Sequence, residues 1–167
     1  MDWLVFGVQW LHVLLGIFWF GSTLYLDFVL IPALMTLPLG EQRRAGAAIG
    51  ARAVPIFTGV AVAVIVLGIL RGTVFGQIKS LDALGTQYGV TWLVALVAAV
   101  ATAYWGLRIL TPAVKKLYTI PESEAGAAGG QSPGIAAAVA DIRRKGQIEL
   151  LGFFVIFTCM ILMRFGA

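Results

Sequence analysis

WLVFGVQWLHVLLGIFWFGSTLYLDFVLIPAL, residues 3–34, contains one acid, Asp27, and the only histidine of the chain, His12. At 1.5 Å of rise per residue this stretch is longer than the ~20 residues that cross a ~30 Å hydrocarbon layer, so it reads as a tilted or overhanging membrane helix. His12, Gly16, Trp19 and Thr23 recur at helical spacing. One stripe therefore carries an imidazole, a gap without a side chain one turn on, and then an aromatic ring.

The other segments follow the same pattern. The chain has 167 residues, 60% hydrophobic and 12% charged, where a soluble domain carries roughly a quarter charged residues. This composition predicts an integral membrane protein. The net charge of +4 comes from bases clustered beside apolar spans, where topology and anionic lipid account for them, and no nucleic-acid partner is implied. A single cysteine, Cys159, leaves no internal disulfide and no paired-cysteine haem attachment. MDWLVF has no positive leader region, so the first span is expected to be retained.

Spans are expected at about 3–34, 54–75, 88–110 and 148–165. The first connector contains Pro38, Gly40, Arg43, Arg44 and Arg52; the third contains Lys115, Lys116 and a Gly/Ala/Ser/Pro stretch, expected as a flexible loop at about 113–134. After Pro133, the residues Ile135, Val139 and Ile142 share a face opposite Arg143 and Arg144, as in a short interfacial helix before the last span. Loop bases number three in the first connector and five in the third, against one in the second turn and Arg164 at the far end. The positive-inside rule then places both termini on the outer side. The fold expected is all-α: one domain, a four-helix up-and-down bundle with no internal repeat.

Ionisable groups within spans mark candidate sites. With each span centred in the membrane, Asp27, Arg108 and Glu149 fall on the order of 12 Å toward the cytoplasm. One reading is an Asp27–Arg108 ion pair that locks register; the other is a proton path through the carboxylates. His12, Arg71 and Met163 fall together on the order of 10 Å toward the outer face. Imidazole and thioether can ligate haem iron from opposite sides while a guanidinium holds a propionate. With no second histidine, other second ligands are Met160, Lys79, none, or His12 of a second subunit. Cys159, Met160 and Met163 with His12 also form a soft ligand set suited to Cu(I). Small-residue faces on the second and third spans equally suit a cofactor-free subunit of a larger complex or a homodimer.

WLHVLLGIFWFGSTLYLDFVLIPAL, together with the later IGARAVPIFTGV, resembles the copper-resistance CopD family, the HemJ protoporphyrinogen oxidase family and the membrane domain of bacterial urate oxidase. The likeness covers about the first 75 residues. It implies a four-helix membrane bundle with His12 as a haem ligand. HemJ-like chains carry a basic residue where this one has Asp27, so porphyrinogen oxidation is not implied. The reading that results is a small haem b-associated redox or electron-transfer protein, with copper handling and a structural subunit as alternatives. No nucleophile with its base and no phosphate-binding loop marks an enzyme.

Overall fold

A computed structural model describes residues 2–117 and 133–165. They form four long helices: α1 (Trp3–Leu34), α2 (Leu39–Gly72), α3 (Gln87–Leu117) and α4 (Pro133–Phe165), each long and apolar enough to cross a membrane. The protein is an all-α four-helix bundle, and its large apolar side chains point outward. Trp10 is 57% and Phe28 69% exposed, which suits lipid, not water.

Neighbouring helices are held by contacts from specific residues. Trp19 of α1 meets Phe153 of α4 edge-on, with ring centroids 4.8 Å apart. These two rings, with Ala61 and Val64 of α2, form a core at membrane depth. The indole of Trp92 donates to the Gly68 carbonyl across α3 and α2 at 3.2 Å, and that of Trp105 donates to the Lys145 carbonyl across α3 and α4 at 3.0 Å. Two indoles therefore fix α3 to different partners, one near its start and one past its middle. The α2–α3 connection is tied by Lys79, whose ammonium donates to the Thr73 and Val74 carbonyls at 2.9 and 2.7 Å. Thr86 caps α3 by accepting from the Gly89 N–H at 3.1 Å.

Several boundaries differ from the sequence expectation. α2 begins at Leu39, not near residue 54, so most of the first connector is helix. Its Ala, Arg, Glu and Gln residues are strong helix formers, although hydropathy recognises only the part facing lipid. The short interfacial helix is instead the first half of α4, continuous with the last span. Its Ile135 and Ile142 are buried with Leu117 and packed against Met35 and Leu39, forming a second core beyond the membrane core. The face read as lipid-facing is a protein–protein face. Of the expected loop at 113–134, residues 113–117 are helical; 118–132 lie outside the described residues.

The third span was expected to end near residue 110, yet α3 continues through Pro112, and here the structure reveals a correspondence between α1 and α3. Each contains one π-helical turn, Leu26–Leu30 and Gly106–Leu110. In each the wider ring is closed by the residue just before a proline: Ile31 N–H to the Leu26 carbonyl, and Thr111 N–H to the Gly106 carbonyl. A proline removes one donor and crowds the carbonyl four residues back, and one extra residue in the turn accommodates both effects. The flanking sequences LIPAL (30–34) and LTPAV (110–114) match. An internal correspondence thus exists where none was expected.

Candidate membrane-depth carboxylate site

The two π-helical turns flank the candidate site. A cavity of ≈ 690 Å³ lies between them, with walls drawn from α1, α2 and α3 and with Glu149 of α4 also lining it. Its volume comes from small residues: Gly46, Ala47, Gly50, Ala51 and Ala53 form the α2 wall, where larger side chains would fill the space. Trp19, Phe57 and Ala61 also line it. Polar groups in the lining are few, namely Asp27, Glu149, Lys115 and two threonines. One of those, Thr23, donates its hydroxyl to the Trp19 carbonyl at 3.1 Å.

The two carboxylates reach the cavity because a glycine on the facing helix leaves each one room. Asp27, in the α1 π-turn, lies against Gly146 of α4; a Cβ there would stand 3.2 Å from its Oδ2. Glu149 lies against Gly106, the first residue of the α3 π-turn, where a Cβ would collide with its carboxylate. Gly146 and Glu149 are three positions apart on α4, hence on one face. The acids therefore approach within about one helical turn of each other. Glu149 is only 9% exposed. Neither carboxylate takes part in a hydrogen bond or an ion pair among the described residues.

The Asp27–Arg108 ion pair is not formed: Arg108 lies within the π-turn with its side chain exposed. The arithmetic that levelled Asp27, Arg108 and Glu149 concerns depth alone, whereas the extra residue of a π-turn rotates the chain about its axis by an amount that a regular helical wheel omits.

At the opposite end of the bundle His12 is 8% exposed. Its Nδ1 donates to the Val64 carbonyl at 3.1 Å, and a Cβ on Gly68 would stand 3.2 Å from its Cε1. A carbonyl can only accept, so Nδ1 carries the proton and Nε2 the lone pair. Arg71 is committed: its Nε donates to Gln9 Oε1 at 2.6 Å and its Nη1 to the Phe75 carbonyl at 3.3 Å. Lys79 is likewise engaged with backbone carbonyls. Met160 and Met163 are half-buried and Cys159 is buried near the end of α4, with no described interaction joining them to His12. Among the described residues no group of three His, Cys, Asp or Glu could hold a metal ion. The fit to a haem held within one chain is poor: the guanidinium is occupied, and His12 is absent from the wall of the 690 Å³ cavity.

Sequence reading found both carboxylates but missed the cavity between them. Its signal was the small-residue run AGAAIGARA at 45–53, legible only once that run is helical. No protein-family model, curated protein or solved structure matches the chain.

Proposed function

We propose that this protein is a multi-pass component of the bacterial inner membrane, with both termini outside, in which Asp27 and Glu149 form a proton-exchanging pair serving transport. One observation carries the reading: two carboxyl groups, near the basic end of the apolar spans, share a cavity with no base paired to either among the described residues. A buried carboxylate without a counter-charge is costly by several kcal/mol. Two that repel each other must be compensated by a proton or by a bound cation, and exchange between these two states is the chemistry of a coupled carrier. Ionisable groups inside spans have this use widely.

The test is infrared difference spectroscopy of the reconstituted protein across a pH titration. The expected result is a carbonyl-stretch band of protonated carboxyl that shrinks as pH rises and is depleted in both Glu149→Gln and Asp27→Asn. A titrating band unchanged in both variants would overturn the reading.

A second reading, haem b bound through His12, has one observation in its favour. Donation from Nδ1 to Val64 fixes the tautomer and leaves Nε2 as the ligating atom, as metal-bound histidines are commonly held. Because this chain leaves Arg71 engaged and brings no second ligand to the ring, the completing group would come from a second copy or another subunit. Oxidised and dithionite-reduced absorption spectra decide it. A Soret band lost in His12→Ala supports haem; colourless protein from haem-supplied cells excludes it, and metal analysis of the same sample, compared with Cys159→Ser and Met163→Leu, tests copper.

A further inference from the structure

We propose that the occupant exchanged against protons in the Asp27–Glu149 cavity is a bulky, largely apolar organic monocation, such as a protonated aromatic amine or a quaternary onium. The inference rests on the proton-exchange reading above and adds the class of ligand.

Size is the first argument. A cavity of ≈ 690 Å³ is far larger than a proton path needs, and falls in the ~300–1,000 Å³ range of small-molecule sites. Chemistry is the second. Hard divalent cations prefer an oxygen-rich shell of about six or more ligands, whereas the polar groups of this wall are two carboxylates, two threonine hydroxyls and the Lys115 ammonium, which repels a divalent ion. Most of the rest is hydrocarbon and ring. An apolar body would contact Trp19 and Phe57, whose faces attract a cation, while its charge is balanced by the acids.

Glu149 is itself nine-tenths buried, lines the cavity and has no partner among the described residues. It is thus an unspent acceptor, not the edge of an ion-pair network. The charged groups facing the cavity are Asp27 from α1, Lys115 from α3 and Glu149 from α4, and α2 contributes none. With both acids ionised the net charge is negative. Protonation of the pair leaves the Lys115 ammonium to repel a cation, so protons and cation compete for one site.

The experiment is equilibrium binding of tetraphenylphosphonium to the full-length protein in lipid nanodiscs, from pH 5 to pH 9, with proton release measured in weak buffer. Saturable binding is expected, weakening about tenfold per pH unit on the acid side where one proton is displaced per cation. Glu149→Gln should weaken it more than about tenfold and flatten its pH dependence. Asp27→Asn serves as the second isosteric variant should the first fail to fold, and Lys79→Ala should bind as wild type.

Two results overturn the proposal while leaving the proton-exchange reading intact. One is no saturable binding although the carboxyl band still titrates and responds to Glu149→Gln. The other is equal binding of neutral triphenylphosphine oxide. Cation binding independent of pH and unchanged in both acid variants overturns it as well, as partition into lipid. Absence of both binding and a titrating carboxyl overturns the two readings together.

Discussion

Glycines set the closest approaches in this bundle, and each facing side chain gives its glycine a different consequence. Gly59 has open space where a Cβ would project, whereas at Gly72 the same atom would strike the Trp92 indole. Replacing a helical glycine by alanine is worth roughly 1 kcal/mol in stability when nothing obstructs it, while overpacking costs about 1–3 kcal/mol. Gly59→Ala should therefore raise the thermal midpoint in detergent. Gly72→Ala should lower it, by displacing the ring whose N–H bonds the Gly68 carbonyl. Equal shifts for the two would contradict the packing described. Gly106→Ala acts on the site: its methyl meets the Glu149 carboxylate, so the titrating carboxyl band should shift in position while overall helicity is kept. At this scale the sequence singled out Asp27 and Glu149, which the structure brings to one cavity. It placed Arg108 beside Asp27, where the structure leaves it exposed, because the side chain's direction depends on a π-turn that residue spacing does not encode.

The π-turns connect residue to helix. Each places one extra residue just ahead of Pro32 or Pro112, and in α1 that turn carries Asp27 against Gly146. Pro32→Ala restores the missing donor and lets α1 close as a regular α-helix. Losing one residue from a turn rotates the segment by about 100°, which carries Asp27 away from α4. Cysteines placed by Asp27→Cys and Gly146→Cys, in a Cys159→Ser background, should cross-link oxidatively with proline present, and the yield should fall in the Pro32→Ala chain, as read by mass spectrometry. Undiminished cross-linking would show that the proline does not hold the turn. Four helices were legible from apolar run length alone. The extension of α2 to Leu39 and of α4 to Pro133 was not, because Arg43, Arg44, Arg143 and Arg144 lower the hydropathy of segments that are good helices outside lipid. The match of LIPAL and LTPAV was present in the sequence but gains its meaning from the turns that precede it.

As a whole the molecule has two cores in series, one at membrane depth around Trp19 and Phe153 and one around Leu117, Ile135 and Ile142. The second core lies at the end that carries, among the described residues, Arg43, Arg44, Arg52, Lys115, Lys116, Arg143, Arg144 and Lys145, against Glu41 and Asp141. Truncating a buried isoleucine costs about 2–5 kcal/mol where the site cannot collapse. Ile142→Ala should accordingly expose the first half of α4 to protease while leaving the membrane core folded. The basic end also carries the proposed orientation, and with it the side to which the carboxylate cavity lies nearer. In the orientation proposed above, with the positive loops in the cytoplasm, the exposed turn at Leu81 faces outward. In intact spheroplasts of a Cys159→Ser background, Leu81→Cys should react with a membrane-impermeant maleimide, and Arg144→Cys only after permeabilisation. The reverse pattern would turn the molecule over, bringing Asp27 and Glu149 to the outer half of the membrane and reversing the direction in which a proton gradient would load the site.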